Sequence, residues 1–305
     1  MRILCAMTLV TAAMALGAVD SAIPPAEAHR AEIDKWHAER VTRLRDSNGW
    51  LTLVGLHWLE AGWQSIGKHA DNDIQLAVGP EYLGRIGFAD GRVVFEPQAG
   101  SGATVEHASA AIDRSQKGFM LAPDTAEQPS VVRVGAANFV VIERSGRFGL
   151  RVKDPAAPTR TGFSRIDQFP IDRAWRLEAT FEPHPAGKTI DIASVINTIE
   201  PMPNPGAVVF KKDGKEFRLE AVDEGDGQLF LIFADRTNGK FSYGPGRFLY
   251  ADKPVGNRTV VDFNRAYNPP CAFNAYSTCP LPPPENRLDL AVTAGEKKYA
   301  GPEAH

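Results

Sequence analysis

The stretch SVVRVGAANFVVIERSGRFGLRVKD, residues 130–154, is rich in β-branched and aromatic residues and carries glycine at positions 135 and 146. Valine, isoleucine and phenylalanine favour strands, and glycine supplies the positive φ values that tight turns require. The stretch therefore predicts three consecutive strands joined by two turns.

The rest of the chain continues this pattern of short apolar runs separated by turn residues. Asp90-Gly91 and Asp213-Gly214 each lie inside a hairpin signal, because both dipeptides accept the backbone angles of a tight turn. About a dozen strand candidates follow at close spacing, which favours sandwiches or barrels. The last candidate is RLDLAVTAG, residues 287–295. We expect a mostly β fold with an N-terminal sandwich and a C-terminal unit that is a sandwich or barrel-like.

A short amphipathic helix is predicted before the first strand, within residues 29–50. Asn48-Gly49 supplies its stop signal. Apolar residues recur at helical spacing with charges between them: Ile33, Trp36, Val41 and Leu44.

A domain boundary is predicted where strand signals fade, at DPAAPTRTGFSR, residues 154–165. We therefore expect a sandwich over residues 51–155 and a second β domain over residues 156–305. The second domain carries a proline-rich loop, residues 262–287, as a lid.

Composition limits the classes of function. The chain has 305 residues, 43 % of them hydrophobic and 23 % charged, so it can bury a sizeable core. Its formal net charge is -3 and it has no long basic run, so we predict no nucleic-acid partner.

The first 28 residues are typical of a signal peptide. Arg2 precedes an uncharged apolar run, and AEA ending at Ala28 places small residues where a signal peptidase reads them. No later run is long enough to cross a bilayer. We therefore expect a periplasmic or secreted protein without a transmembrane segment in its mature chain.

The predicted export determines which oxidation state we expect for the cysteines. Cys271 and Cys279 remain after removal of the signal peptide, and in an oxidising compartment such a pair is typical of a disulfide. Together with the prolines, this crosslink predicts an ordered loop rather than a linker. The isomeric state of the Asn268-Pro269-Pro270 bonds stays open.

The loop can serve in two ways. As a plug it would seal one end of the β unit, with its aromatic side chains in the core. As a wall it would line a pocket for a small ligand. The aromatic residues concerned are Tyr267, Phe273 and Tyr276.

Polar residues near the loop are the candidates for a site. Asp262 ends a strand on a partly apolar face, so it needs a partner, for which Arg247, Arg258 and Arg265 are candidates. In the structural interpretation, Asp262 and an arginine form a buried ion pair that stabilises the fold. In the functional interpretation Asp262 lies in a cleft as a base or ligand acceptor. The predicted ligand-binding set is Tyr243, Arg247, Asp262, Asn264, Tyr267, Asn268, Phe273 and Tyr276.

The sequence contains no motif typical of a metal site, a cofactor site or a serine nucleophile. The histidines are far apart in sequence, and Gly-x-Ser-x-Gly is absent. We therefore predict no metal and no cofactor.

The chain resembles the family known as domain of unknown function 1684 over about residues 36–300. The strings that carry the resemblance are WLTLVGLHWLE, RFGLRVKD, YGPGRFLYAD, AGEKKYAG and the proline-rich loop with its flanks. The resemblance implies no activity. A weaker one links SIGKHADNDIQL to forkhead-associated domains, which bind phosphothreonine. Lys68 replaces the usual arginine and AVGPEYLGRIGFADG offers no serine or histidine, so the phosphate site is not expected.

Three functional hypotheses follow. The first is a β-rich module that binds a small ligand or an envelope component. The second is a hydrolase that uses Asp262 with Asp235 or Glu296 for acid/base work. The third is a structural envelope protein.

Overall fold

A computed structural model of the chain describes residues 25–107, 109–110, 118–225 and 227–301. Residues 1–24, which form most of the predicted signal peptide, lie outside those ranges. Strands make up 41 % of the structure and helices 14 %, which confirms the mostly β fold. None of the helices that the structure describes is long and apolar enough to cross a membrane.

Helix α1 spans Ala26–Leu44 and packs against the C-terminal β unit through one buried face. Its buried positions are His29, Ile33, Arg40 and Leu44. These positions are separated by one or two turns, as one face of an α-helix requires. Two of them are polar, and both have partners in the C-terminal unit, as shown below.

The N-terminal β unit is a sandwich of two sheets. Its strands are β1 (Leu53–Trp58), β2 (Gly62–Gly67), β3 (Ile74–Gln75), β4 (Gly84–Ala89), β5 (Arg92–Pro97), β6 (Thr104–Glu106), β7 (Ser109–Ala110), β8 (Phe119–Leu121), β9 (Val131–Val134), β10 (Ala137–Arg144) and β11 (Arg147–Lys153). The strand orders of the two sheets are β1-β11-β10-β9-β6 and β3-β2-β4-β5-β8-β7. A shared apolar core, which includes Ile86, Phe95, Phe139 and Leu150, lies between them.

The three strands predicted from residues 130–154 are confirmed as β9, β10 and β11. Ser145 and Gly146 turn between β10 and β11 with φ of +49° and +74°, so Arg144 pairs with Arg147. Asp90 and Gly91 make the same kind of turn between β4 and β5. Local turn chemistry therefore sets the register of both hairpins.

The strands of the C-terminal β unit are β12 (Arg176–Pro183), β13 (Thr189–Ala193), β14 (Ile199–Pro203), β15 (Gly206–Lys212), β16 (Lys215–Glu220), β17 (Leu229–Phe233), β18 (Arg247–Ala251) and β19 (Arg258–Asp262). A four-stranded sheet, β16-β15-β12-β19, packs against the pair β17-β18, and β13-β14 forms a separate hairpin. These sheets are open within the described ranges, so the sandwich alternative describes the unit and the barrel alternative does not.

Strand β17 is buried on both faces. Leu231 and Phe233 belong to the core shared with the four-stranded sheet, whereas Phe230 and Ile232 face a second core that includes Leu44 and Phe273. Burial on both sides explains its continuous apolar run, LFLIF. β17 thus contributes to both apolar cores of the C-terminal unit.

The predicted strand at residues 287–295 does not form. Its backbone instead makes single bonds, from Leu288 N to Ala234 O and from Arg236 N to Leu290 O. The amide of Val292 donates to the side chain of Asp235. A side chain takes the place of a ladder partner there, so the segment is extended without becoming a strand.

Short helices complete the fold. Helix α2 is a single turn, Pro158–Thr161, inside the predicted boundary segment. The 3₁₀-helices are Trp50–Thr52, Arg173–Trp175, Phe263–Arg265, Pro270–Ala272 and Pro284–Asn286.

Candidate functional site: a cavity beneath the proline-rich loop

The proline-rich loop is ordered and largely buried. Cys271 and Cys279 form a disulfide with Cα atoms 6.2 Å apart, which confirms the predicted bridge. The loop contains three 3₁₀-helices. Two of them begin at a proline, Pro270 and Pro284, and the third has Asp262 as its N-cap. Proline fixes φ and so lowers the conformational entropy of the unfolded chain, which means that less entropy is lost when these turns fold.

Asparagine side chains bond the backbone of the loop and its neighbours. Asn286 accepts from Glu220 N at 2.7 Å and donates to the carbonyls of Glu220 and Ile232 at 2.9 Å. Asn274 accepts from Tyr276 N and donates to Trp50 O. These amides satisfy backbone groups that have no ladder partner, and they hold the loop against both β units.

Asp262 is 5 % exposed and its partner is His29 on helix α1, at 2.7 Å between Oδ2 and Nε2. Its other oxygen accepts from the backbone and side-chain amides of Asn264. None of the three arginines that we expected as partners pairs with Asp262. Arg176 lies 4.0 Å away. The sequence could not predict His29 as the partner, because it lies 233 positions away and meets Asp262 only in the folded chain.

Asp235 and Arg247 form a fully buried ion pair at 2.8 Å. Arg247 also donates to the carbonyls of Val292, Ala294 and Glu296. Burial lowers the pKa of Arg247, and the charge of Asp235 opposes that shift. Through the ion pair of Nη2 with Asp235 and the bonds of Nη1 and Nη2 to carbonyls, this guanidinium holds the segment around residues 292–296 in place.

Glu296 is fully buried and pairs with Arg40 of helix α1 at 3.0 Å. Its second oxygen accepts from Asn268 N at 2.7 Å. Arg40 also donates to the carbonyl of Asn268 at 2.8 Å. The helix, the loop and the end of the described chain therefore meet at one carboxylate.

Two of the three candidate carboxylates, Asp262 and Glu296, contact helix α1 at well-separated positions. Asp262 and Glu296 bind His29 and Arg40, which lie eleven residues apart on α1 and hence roughly 16 Å apart along it. Acid/base carboxylate pairs in glycosidases lie about 5–9.5 Å apart. Among the described residues, no three histidine, cysteine, aspartate or glutamate side chains group as metal ligands.

A cavity of about 740 Å³ opens between helix α1, the hairpin β13-β14, the pair β17-β18, the proline-rich loop and the edge of the sandwich. We call it the inter-unit cavity. Its aromatic lining is Trp36, Trp50, Phe230, Phe248, Tyr250 and Tyr267. Its hydroxyl lining is Ser194, Thr198, Ser277 and Thr278. Its charged lining is Arg40, Arg43, Arg144, Glu200, Glu224, Asp252 and Arg265.

Tyr250 and Tyr267 form the centre of the aromatic wall. Their rings stack at 6.4 Å with 12° between the planes, and the Arg40 guanidinium lies 4.6 Å from the Tyr267 ring centre. The Tyr250 hydroxyl donates to Glu224. Burial is the main cause that raises the pKa of Tyr267 to about 12, and burial also raises the pKa of Tyr250. Both phenols are therefore neutral hydrogen-bonding groups at neutral pH.

Comparison with protein families identifies a match for the second half of the chain. Residues 161–297 match the model described as "Protein of unknown function (DUF1684)". Residues 161–297 belong to the DUF1684 family. The expected resemblance is confirmed for this part of the chain.

Two further comparisons add context to the DUF1684 match. A solution NMR structure of an uncharacterized protein of Haloarcula marismortui is 31 % identical and covers 45 % of this chain and 78 % of its own, with a TM-score of 0.38. No curated protein matches the chain.

The DUF1684 segment does not build the inter-unit cavity by itself. Trp36, Arg40, Arg43, Trp50 and Arg144 line it and lie before residue 161. Helix α1 and the edge of the sandwich therefore complete a wall that the family segment leaves open.

Of the predicted ligand-binding residues, Tyr267 lines the inter-unit cavity. Phe273 is fully buried against Tyr299, at 4.8 Å between ring centres, so the loop acts as plug and wall at once. Tyr276 is half-buried outside the lining. The other predicted residues are buried in polar or core contacts away from it: Tyr243, Arg247, Asp262, Asn264 and Asn268.

Sequence reasoning missed most of the lining. Trp36 follows the helical spacing of apolar residues, and Tyr250 lies in YGPGRFLYAD, a string that carries the family resemblance, so neither pattern indicates a ligand contact. Trp36 and Trp50 are large aromatics that stay partly exposed. Partial exposure is the feature that marks them, and it becomes visible only in the folded chain.

Proposed function

We propose that this protein binds a small organic ligand with a flat ring face in the inter-unit cavity. The observation that carries the proposal is the partly exposed aromatic wall around the stacked pair Tyr250 and Tyr267. A volume of about 740 Å³ lies within the range of small-molecule sites. Stacking holds a ring face, and the hydroxyl and charged groups at the rim would orient it.

Binding is favoured over hydrolysis because of where the carboxylates lie. Asp235, Asp262 and Glu296 are buried, each with a cationic or imidazole partner, and none lines the inter-unit cavity. A general acid or base must reach the reacting atom directly or through one water. The structural envelope role has no specific observation in its favour.

The binding test compares two tyrosines of the proline-rich loop. A panel of neutral ring compounds, including glucuronamide and benzamide, is screened by saturation-transfer NMR, and hits are titrated against variants. We expect Tyr267→Ala to weaken binding roughly threefold to tenfold, because one stacked ring is lost. Tyr276→Ala, which changes the same loop outside the cavity, is the matched control.

Two results would contradict the proposal. One is that no ring compound binds the full chain. The other is that Tyr267→Ala and Tyr276→Ala change the affinity of a hit equally.

We further infer that the protein works in the periplasm or outside the cell. The support is the signal-peptide pattern of residues 1–28 together with the disulfide in the loop, because disulfides persist mainly in oxidising compartments. Fractionation of cells that express the full chain should place it in the periplasm or medium, oxidised at Cys271 and Cys279. Recovery in the cytoplasm with free thiols would refute export.

A further inference from the structure

The sandwich edge of the inter-unit cavity carries more positive than negative charge. On β10 and β11, the face opposite the sandwich core bears four basic residues, because they alternate with core residues such as Val141 and Leu150. These basic residues are Arg144, Arg147, Arg151 and Lys153. The C-terminal unit covers part of this face, and the cavity reaches it at Arg144 and Trp50.

Arg151 is the most deeply buried of them, and its charge is only partly paired. It is 5 % exposed, and its Nε has no hydrogen-bond partner among the described residues. Its nearest carboxylate oxygen is Asp124 Oδ2, at 4.0 Å. Asp124 is already held by Arg144, which donates to both of its oxygens at 3.0 and 2.7 Å. Two guanidinium groups thus share one carboxylate in a partly buried place.

This imbalance has an electrostatic cost. Burial, followed by the charge of Arg144, lowers the pKa of Arg151 to about 10. Lys153, further along the strand, adds a positive charge, and its ammonium bonds to Asn48 O and Oδ1 rather than to a carboxylate. A buried charge that is only partly paired costs free energy, and a further anion beside it lowers that cost.

Thr278 connects Arg151 to the inter-unit cavity. Its Oγ1 accepts from Arg151 Nη2 at 3.0 Å, which leaves its own hydroxyl hydrogen available to a ligand. Thr278 lines the cavity beside Trp50, whose ring centre is 5.5 Å from the Arg151 guanidinium and which is 41 % exposed. A hydroxyl donor, an aromatic ring and a cation that is only partly paired therefore meet at this edge.

We propose that the ligand of the inter-unit cavity is a carboxylate-bearing ring compound, such as an acidic sugar or an aromatic acid, whose carboxylate binds at Thr278 and Trp50 in the field of Arg151 and Arg144. The inference rests on the proposed function and names its ligand class. The hydroxyl of Thr278 donates to the carboxylate, and the two arginines supply the compensating charge.

The test uses matched pairs of probes on the full chain. Glucuronate is compared with glucuronamide, and benzoate with benzamide, by calorimetric titration at constant ionic strength. Each pair keeps its ring and differs in the negative charge. We expect the carboxylate of at least one pair to bind about tenfold more tightly than its amide.

Two variants test the location. Thr278→Val keeps the shape of the side chain and removes the donor, and Arg151→Gln removes the charge. Both should bring the carboxylate and its amide to within about twofold of each other, with the larger loss of affinity for the carboxylate, because a hydrogen bond to a charged acceptor is worth more than one to an amide oxygen. Arg147→Gln is the control, since Arg147 lies on the same strand face, is exposed and stacks on Trp58 outside the cavity lining.

The outcomes separate the two proposals. Equal affinity for both members of each pair overturns the carboxylate proposal and leaves ring binding standing. A carboxylate preference that survives in Thr278→Val, or that Arg147→Gln abolishes equally, also overturns it. If neither the carboxylates nor the amides bind, ring binding is overturned. If Arg151→Gln does not fold, Thr278→Val still tests the location of the carboxylate site.

Discussion

Gly295 shows how a single residue positions the buried carboxylate of Glu296. It has φ of +76°, and a Cβ atom there would lie 2.8 Å from Phe263 O and still closer to Ala266 O. The next residue, Glu296, donates its amide to Ala266 O at 2.8 Å. Any side chain at position 295 would push the chain end away from the loop and displace Glu296 from Arg40.

Replacing Gly295 tests this close approach. We expect Gly295→Ala to lower the free energy of unfolding by about 3 kcal/mol or more, through backbone strain and overpacking. Gly214→Ala is the matched control, because Gly214 has φ of +77° with open space around its Cα. The control should lose about 1 kcal/mol from strain alone. Equal losses in urea unfolding would show that the close approach is unimportant.

At the scale of elements, helix α1 fastens the proline-rich loop through polar contacts. His29 bonds Asp262 at the start of the loop, and Arg40 bonds Glu296 and the carbonyl of Asn268. Ile33 and Leu44 supply apolar burial between and beyond these contacts. The helix and the loop should therefore be stable or unstable together.

Arg40→Met tests this coupling. Removing the cation leaves the Glu296 carboxylate buried beside a single amide donor, so we expect a loss of about 3–5 kcal/mol in urea unfolding. Amide exchange should rise in both α1 and residues 262–287 if they open as one unit. Lys35→Met on the exposed face of the same helix should change stability by no more than about 0.5 kcal/mol. Exchange that rises in α1 alone would argue against coupling.

At the scale of the whole molecule, the inter-unit cavity belongs to neither β unit alone. Trp50 and Arg144 come from the sandwich, Trp36 from α1, and Tyr250 and Tyr267 from the DUF1684 segment. Contacts between Arg151 and Thr278 and between Ser145 and Glu200 tie the sandwich to that segment. A ligand that bridges both sides would stabilise the arrangement of the units as well as the cavity.

Local chemistry in the sequence determined the mostly β class, the hairpins at Asp90-Gly91 and Ser145-Gly146, and the disulfide. Those features depend on neighbouring residues or on the pairing of two cysteines in one loop. The partner of Asp262, the extended segment at 287–295 and the wall of the inter-unit cavity depended on tertiary structure. Each depends on groups far apart in sequence, such as His29 and Asp262, whose meeting is set by packing of the whole chain and leaves no local pattern.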